Sequence, residues 1–355
     1  MSVLIICEKP SVAKTVALAL GAAEQKDGYL SGDGLLVSWC IGHLISMADA
    51  GSYDERYKKW RYEDLPILPQ TWKYAPTPGK GKQLAVLKEL LHRSDVSEVV
   101  NGCDAGREGE LIFRFVYEQA GCTKPFSRLW ISSMEDCAIR EGFAGRRAGT
   151  EYDALYQSAL CRARADWLVG INATRLFSVL YHKTLNVGRV LSPTLNLLVE
   201  RDGKITMFHK EKYHIVHIGY GGVDAESERI SDAAAADALR TACEASQAVC
   251  VSLKKEKKTA LPPKLFDLTL LQREANRVYG FTAKQTLDYA QSLYEKRFLT
   301  YPRTDSNYLT EDMAQTATDL VASLLPVLPF MQGAEITSEI GRVINSAKVS
   351  DHHAI

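Results

Sequence analysis

A chain of 355 residues is too long for one compact hydrophobic core, so we expect about two or three domains. A hydrophobic content of 46% and a charged content of 24% exclude a largely disordered protein. The 43 basic and 43 acidic residues cancel, which excludes nucleic-acid binding through bulk charge alone but leaves room for a local basic groove.

The cysteines and the N-terminal residues indicate the compartment. The eight cysteines form no CxxC pair and no Cys/His spacing typical of zinc sites. The opening residues, MSVLIICEKP, lack the basic segment and the apolar run of a signal peptide. No segment approaches the roughly 18 apolar residues that a membrane-spanning helix needs. The sequence therefore predicts a reduced, cytoplasmic protein that does not span a membrane.

The first 150 residues alternate between strand and helix patterns. Short apolar runs predict strands at 3–7, 34–40, 97–104 and 127–133. Helical spacing, with glycine at several ends, predicts helices at 11–21, 82–93, 108–121 and 134–145. Strands separated by helices of this length are typical of a parallel sheet with crossover connections, so this part is predicted to be α/β.

The pattern changes near residue 151. A long helix is predicted at 152–181, with one packed face formed by Leu160, Ala163, Trp167, Ile171, Thr174 and Phe177. Residues 212–252 favour short β segments, among them YHIVHIGY and AVCVSL, around an alanine-rich helix at 231–245. A charged linker at 254–266 contains two prolines. Helices are predicted again at 268–280 and 282–297.

Charged residues at the ends of predicted strands are candidates for a site, because open parallel sheets bind ligands there. Glu8 and Lys9 follow the first strand, and Asp104 and Glu108 lie on either side of the turn after the third. This spacing lets both carboxylates point at one place, where they could hold Mg²⁺ together with water. The alternative is that Asp104 caps the next helix while Glu108 and Glu110 complement its N-terminus.

The stretch FLTYPRTDSNYL, residues 298–309, contains a tyrosine beside an arginine. A phenol with a reference pKa of about 10 is a weak nucleophile that needs help at neutral pH. Arg303 could bind the phosphate that Tyr301 attacks, and Pro302 restricts the backbone between them. The alternative interpretation is that Tyr301 packs in a core and Arg303 is a surface charge.

Other polar residues that could contact a nucleic-acid strand are scattered. They are Arg162, Arg164, Asp166, Arg175 and Arg189. Each of them alone is typical of a solvated surface charge. No GxxxxGK[ST] motif occurs, so the sequence does not support a P-loop ATPase.

Seven motifs occur in an order that resembles one known family. They are CEKPSVAKTVALALG, KKWRYEDLPILP, CDAGREGELIFR, ADWLVGINATR, VGRVLSPTL, AKQTLDYAQSLYEKRFLTYPRTDSNYL and DHHAI. In this order they resemble the type IA DNA topoisomerases, and most closely the topoisomerase III branch.

The resemblance implies a domain organisation. Residues 1–150 correspond to the Toprim domain, a Rossmann-like α/β module with a parallel sheet. Residues 151–207 correspond to the first part of the helical domain IV, which binds single-stranded DNA. Residues 208–262 correspond to the first arm of the β-rich arch, domain II, and residues 263–355 to the first part of domain III, which carries the catalytic tyrosine. Family members continue beyond DHHAI, so the chain resembles an N-terminal fragment whose toroid is incomplete at the C-terminus.

The resemblance also implies roles for the catalytic residues. Tyr301 matches the nucleophile and Arg303 the phosphate-contacting arginine. Glu8 matches the acid that protonates the departing 3′ oxygen, and Lys9 the lysine that stabilises charge on the phosphate. His352 matches a histidine near the scissile phosphate.

Metal and DNA contacts follow from the same resemblance. Asp104 and Glu108 match the outer acids of a DxDxE metal motif, while Gly106 replaces the middle acid. We therefore expect Glu8 to complete the Mg²⁺ site, or the metal to bind more weakly than with three acids. Arg162, Asp166 and Arg189 match positions that contact single-stranded DNA.

The implied reaction is ATP-independent, Mg²⁺-dependent cleavage and rejoining of single-stranded or underwound DNA, through a 5′-phosphotyrosyl bond and with strand passage. One alternative is a Toprim nuclease or a primase-like nucleotidyl transferase that uses the acids without Tyr301. The other is a fragment that binds single-stranded DNA and lacks strand passage.

Overall fold

A computed structural model describes residues 1–247, 249–296, 298–331, 340–349 and 352–355. The strands are β1 Ser2–Cys7, β2 Glu24–Lys26, β3 Tyr29–Gly32, β4 Leu35–Trp39, β5 Ile45–Met47, β6 Tyr74–Pro76, β7 Val96–Gly102, β8 Phe126–Arg128, β9 Arg147–Ala148, β10 His217–Tyr220 and β11 Val223–Glu226. The α-helices are α1 Pro10–Ala19, α2 Gly81–His92, α3 Arg107–Gln119, α4 Asp136–Ala144, α5 Asp153–Leu180, α6 Leu191–Thr206, α7 Ala233–Glu244, α8 Leu268–Tyr279, α9 Ala283–Glu295 and α10 Ala314–Leu324.

A seven-stranded sheet forms the N-terminal part, in the order β2-β3-β4-β1-β7-β8-β9. The four central strands β4, β1, β7 and β8 are parallel, and antiparallel strands flank them on both sides. Residues 4–7 of β1 are fully buried, as a continuous apolar run in a strand covered on both faces should be. The predicted α/β fold with a parallel sheet is confirmed.

Helices cover both faces of this sheet, and each face has its own apolar core. Leu87 of α2, Phe113 of α3 and Leu160 of α5 belong to one core. Val16 of α1 and Ile139 of α4 belong to the other. The parallel strands therefore all end at one edge between the helical layers, where their following loops carry the candidate residues.

Helix α5 confirms the predicted long helix, but the predicted apolar face is wrong in its last turns. Phe177 is exposed, while Arg175 and Ser178 are buried. Arg175 donates to the carbonyl oxygen of Tyr57 at 2.7 Å, and its guanidinium lies 5.4 Å from the Trp60 ring. Arg175 is therefore neither a solvated charge nor a residue available to DNA, because the segment around Tyr57 covers this side of the helix.

The predicted strand at 127–133 ends earlier than expected. Strand β8 stops at Arg128, and residues 129–133 form no strand. Its partner β9 pairs only with Ser127 and Arg128, so the ladder has no further neighbour on that side. The residues beyond β8 are thus free to line a cleft.

The contact pattern divides the chain into two compact units. One contains residues 1–188 and 263–355, and the other contains residues 189–262. The second unit holds α6, the antiparallel hairpin β10-β11 and α7. The AVCVSL segment begins at Ala248, outside the described residues, and residues 249–253 form no strand. The four-domain assignment from the sequence remains a prediction.

The last part of the first unit contains helices α8, α9 and α10. Side chains cap the N-termini of α8 and α9. Asp267 caps α8 by accepting from the Leu270 amide at 2.6 Å, and Thr282 and Gln285 form a capping box at α9. The predicted helices at 268–280 and 282–297 are confirmed, although Arg297 lies outside the described residues. In the described part of the chain, no helix combines the length and apolar character that crossing a bilayer requires.

Candidate active site

Two acidic residues and a lysine meet at the carboxyl ends of β1 and β7. The Lys9 Nζ atom lies 2.8 Å from Asp104 Oδ2 and 3.2 Å from Glu8 Oε1. All three side chains are largely buried, since at most 26% of each is exposed. The parallel pairing of β1 with β7 sets this arrangement, because Cys7 stands opposite Gly102 and both strands end together.

Tyr301 lies directly against this charged group. The Lys9 Nζ atom is 4.4 Å from the centroid of the Tyr301 ring, a cation–π distance. The ring centroid of His352 is 4.4 Å away on another side, and that of Tyr294 in α9 is 5.3 Å away. The His352 Nε2 atom is also 3.3 Å from Asp104 Oδ2. Tyr301 is half-buried, and its cleft combines the charged Lys9 and Asp104 with apolar side chains such as Ile131 and Leu299.

Burial alternates along the segment that carries Tyr301. Pro302, Thr304 and Ser306 are buried, whereas Arg303 between them is exposed. Tyr301 and Arg303 therefore lie on the more accessible side of this segment. Thr304 fixes the neighbouring segment, because its hydroxyl donates to the carbonyl oxygen of His352 at 2.8 Å.

Two clefts open beside Tyr301 and Arg303, and His352 lines both of them. The first has a volume of about 290 Å³ and contains Lys9, Asp104 and Tyr301. The second, of about 430 Å³, contains Arg303 and the N-terminus of α8. A continuous polymer with one phosphate at Tyr301 and the next near Arg303 would contact both clefts.

The charges of the site shift the protonation of its acids in opposite directions. Burial, and then the negative charge of Asp104, raises the pKa of Glu8. Burial acts in the same upward direction on Asp104, but the hydrogen bond with His352 and the charge of Lys9 outweigh it, so the pKa of Asp104 is lowered. Burial disfavours the Lys9 ammonium, yet Asp104 and Glu8 outweigh it and raise the pKa of Lys9. Asp104 and Lys9 are therefore charged at neutral pH, and Glu8 is the acid most disposed to keep a proton.

The loop that presents Asp104 is held by residues that the sequence analysis did not assign. The fully buried guanidinium of Arg128 donates to the carbonyl oxygens of Cys103 and Asp104 at 2.7 and 2.6 Å. Glu110 balances this charge at 3.1 Å and is fully buried itself. At Gly109, a Cβ atom would lie 2.2 Å from the Asp104 carbonyl oxygen. Glu110 therefore supports the loop from the core instead of complementing a solvated helix end.

Glu108 has a different neighbour from the other acids. Its carboxylate pairs with His43 in the loop after β4, and this hydrogen bond is the main cause of its lowered pKa. Among the described residues, no group of three His, Cys, Asp or Glu side chains is spaced to hold a metal ion. The structure thus brings Glu8 and Asp104 together and leaves Glu108 with His43, a residue for which the sequence offered no signal beyond its position after a strand.

One atom of the site fits a cation. Asp104 Oδ1 is buried and has no hydrogen-bond partner among the described residues. A buried carboxylate oxygen without a partner is costly, and a bound cation with its water shell offsets that cost. Asp104 therefore fits as a metal ligand; Glu8 can join it only when ionised, and Glu108 only after separating from His43.

The predicted DNA-contacting residues are spread over both units. Arg162 is exposed on α5, and its charge contributes to lowering the pKa of Glu108. Asp166 is also exposed on α5. Arg164 is engaged, because its Nη2 atom donates to Tyr74 Oη at 3.3 Å. Arg189 is exposed and begins the second unit.

The motif DHHAI begins at Asp351, which lies outside the described residues.

Comparison with known families explains this assembly. The family model described as DNA topoisomerase matches residues 150–355, and the Toprim domain model matches residues 3–134. The chain belongs to the type IA DNA topoisomerases. The two matches meet where Tyr301 contacts Lys9, so the site joins the Toprim part to the part specific to topoisomerases.

Individual relatives agree with this family. The chain is 41% identical to DNA topoisomerase 3 of Bacillus subtilis (strain 168) and 40% identical to that of Shouchella clausii (strain KSM-K16). Both comparisons cover 99% of the chain and 50% of the relative, so the chain spans about half the length of these curated topoisomerases. Full-length topoisomerase I from Thermotoga maritima has the same fold, with a TM-score of 0.63 and 24% identity over 96% of this chain and 58% of that one.

Proposed function

We propose that this type IA topoisomerase cleaves and rejoins single-stranded DNA with Tyr301 as the nucleophile. The observation that carries the proposal is the contact of Tyr301 with Lys9 and His352 at the ends of the Toprim strands. A tyrosine packed for stability alone needs no buried ammonium against its ring. A phenol that attacks a phosphodiester does need positive charge beside it.

The side chains present can divide the chemistry between them. The Tyr301 oxygen bonds to phosphorus as its proton leaves to solvent, and the bond from phosphorus to the 3′ oxygen breaks. Glu8, with its raised pKa, supplies the proton that the 3′ oxygen takes up. Lys9 and Arg303 offset the charge on the phosphate, and His352 contacts it between the two clefts. Rejoining runs the same steps in reverse.

Magnesium is the proposed cofactor. Asp104 would hold it, joined by Glu8 only in its ionised form and by Glu108 on release from His43. When bound, the metal ion supplies further positive charge to the phosphate oxygens. With Gly106 in place of a third acid, affinity should be lower than in a site with three neighbouring carboxylates.

Exchange of one phosphodiester for another conserves the bond energy, so the proposed reaction needs no ATP. Single-stranded or underwound DNA is the proposed substrate, since single strands bind where cations and aromatic rings line one groove, and the cleft beside Tyr301 contains both Lys9 and Tyr294. A cytoplasmic location accompanies this substrate. Strand passage, whether in relaxation or decatenation, is proposed for the whole protein. A Toprim nuclease or primase-like enzyme is disfavoured because neither needs Tyr301.

Substitution of the nucleophile tests the proposal. We expect Tyr301→Phe to abolish the covalent adduct with an end-labelled single-stranded oligonucleotide, because phenylalanine lacks the attacking oxygen, while binding of the oligonucleotide persists. The adduct is measured by denaturing electrophoresis. Tyr294→Phe is the matched control, since Tyr294 stacks edge-on against Tyr301, and it should retain the adduct. A labelled adduct that survives in Tyr301→Phe, or is lost only in Tyr294→Phe, contradicts the assignment.

A further inference from the structure

Three segments of the chain converge on the half-buried ring of Tyr308. The Lys348 Nζ atom lies 4.9 Å from the ring centroid and donates to Tyr308 Oη at 3.4 Å. The Lys264 Nζ atom lies 5.4 Å from the same centroid. The hydrogen bond from Lys348, and then the charge of Lys264, lowers the pKa of Tyr308. Two positive charges thus share one aromatic ring; we name Lys264, Tyr308 and Lys348 the Tyr308 cluster.

The Tyr308 cluster is held in place by hydrogen bonds from residues next to it. The Asn307 side chain donates to the carbonyl oxygen of Leu265 at 3.2 Å, which fixes the segment that carries Lys264. The Ser306 hydroxyl donates to the carbonyl oxygen of Lys348 at 3.2 Å, which fixes the other lysine. The two ammonium groups therefore converge because their backbones are tied to the Tyr308 segment, and not through chance side-chain rotamers alone.

Neither Lys264 nor Lys348 forms an ion pair with a carboxylate of the described residues. Asp267, the acid closest along the chain to Lys264, accepts from the Leu270 amide at 2.6 Å and from Asn307 at 2.8 Å. Glu311 accepts from the Ser346 amide at 3.2 Å. Two exposed cations at one ring, with neighbouring acids engaged elsewhere, are complementary to the phosphates of a nucleic-acid backbone.

The cluster and Tyr301 belong to the same segment of the chain. Tyr308 follows Tyr301 by seven positions, which limits the distance between their Cα atoms to about 25 Å. The Ala354 amide donates to the carbonyl oxygen of Tyr308 at 2.8 Å, so the segment that carries His352 also supports the cluster. At a rise of about 3.4 Å per nucleotide, a DNA strand of a few nucleotides covers this distance.

We propose that the Tyr308 cluster binds the sugar-phosphate backbone of the DNA that remains joined to Tyr301 after cleavage. The inference rests on the proposed function, because a 5′-phosphotyrosyl bond keeps the 3′ portion of the strand on the segment that carries Tyr301 and Tyr308. The cluster holds that portion while the freed 3′ hydroxyl end is held elsewhere. It is therefore a subsite for the nucleotides on the 3′ side of the cleavage site.

The test compares two double variants. Lys264→Gln/Lys348→Gln removes both charges of the Tyr308 cluster, and the control Lys82→Gln/Lys88→Gln removes two exposed charges from α2. Binding is measured by fluorescence anisotropy with single-stranded oligonucleotides that extend a mapped cleavage site on its 3′ or its 5′ side. Each phosphate contact on a single strand contributes about 0.7 to the slope of log affinity against log salt. We expect the first variant to lose about 1.4 from this slope, with the 3′-extended oligonucleotide only. Between 50 and 200 mM salt, the wild-type affinity then falls about sevenfold more than that of the variant.

Adduct formation is measured on the same proteins, and it separates the two proposals. Suppose that both the wild type and the Lys264→Gln/Lys348→Gln variant form the adduct. If the variant then has the wild-type salt slope, or loses slope with the 5′-extended oligonucleotide, the subsite is overturned and Tyr301 remains the nucleophile. Absence of an adduct even in the wild type overturns the proposed function itself. Tyr308→Phe keeps the ring under both ammonium groups, so it should retain the wild-type slope; a loss of slope in this variant contradicts a site made by the two lysines.

Discussion

At the residue scale, the site depends on how four ionisable side chains share charge. Lys9 contacts both Glu8 and Asp104, and His352 contacts Asp104. Asp104 is therefore the anion of the group, and Glu8 is pushed toward its neutral form by burial and by that anion. Two acids in one cleft with pKa values shifted apart are suited to different roles, one holding cations and one giving up a proton.

The role of Glu8 predicts a pH dependence. Because its pKa is raised, Glu8 keeps its proton at pH values where an ordinary glutamate has lost it. Cleavage should then decline as the pH rises through the raised pKa of Glu8. We expect Glu8→Gln to slow single-turnover cleavage by roughly 10²- to 10⁴-fold and to remove this decline. Glu141→Gln, on the exposed side of α4, is the control and should keep the wild-type profile; a decline that persists in Glu8→Gln assigns it to another group.

At the element scale, α3 carries two glutamates with opposite surroundings. Glu108 in its first turn is 62% exposed and pairs with His43. Glu110 is fully buried, and it accepts from Asn101 at 2.8 Å and pairs with Arg114 and Arg128 at 2.9 and 3.1 Å. The helix thus turns one acid to the solvent edge of the site and uses the other to fix the loop of Asp104.

This difference predicts unequal effects on stability. Glu110→Ala leaves the buried guanidinium of Arg128 without its counter-charge, so we expect the free energy of unfolding to fall by about 3–5 kcal/mol. Glu108→Ala breaks only an exposed pair and should change the free energy by less than about 1 kcal/mol. Urea denaturation of both variants measures this. Equal losses in the two variants would refute the structural role of Glu110.

At the scale of the whole molecule, the two compact units divide the proposed work. The first unit contains Lys9, Asp104, Tyr301 and His352, and the second begins at Arg189. Cleavage is therefore assigned to one unit, whereas the predicted DNA-contacting residues occur in both. The net charge of the chain is zero. Binding of DNA would therefore depend on a few basic residues at particular places and not on bulk charge.

Arg189 tests the share of the second unit in binding. We expect Arg189→Ala to weaken binding of single-stranded DNA and to lower the salt slope by about 0.7, the contribution of one phosphate contact on a single strand. Fluorescence anisotropy over a salt series measures it. Arg201→Ala, an exposed arginine of α6, is the control. The prediction is wrong if the slope is the same in Arg189→Ala and in the wild type.

Much of the fold was predictable because its signals are local. The apolar run of β1 and the amphipathic spacing of α2 each lie within a dozen residues, and Gly280 ends α8 in the left-handed conformation that glycine favours. Predictions failed where a distant segment decides burial. Phe177 is exposed because the segment near Tyr57 engages Arg175 instead, and β8 ends at Arg128 because its pairing with both β7 and β9 stops there.

The sequence by itself determined the family, the α/β pattern and the residue types that could do the chemistry. Motifs and hydrophobic periodicity depend only on residues that are close together in the chain. Only the tertiary structure decided that Lys9, Asp104, Tyr301 and His352 meet, that Glu108 turns to His43, and that Glu110 lies in the core. These contacts join residues far apart in the chain, and they depend on how strands and helices cross in space. Local propensity carries no information about such crossings, so the burial and the charge of each site residue followed from the fold.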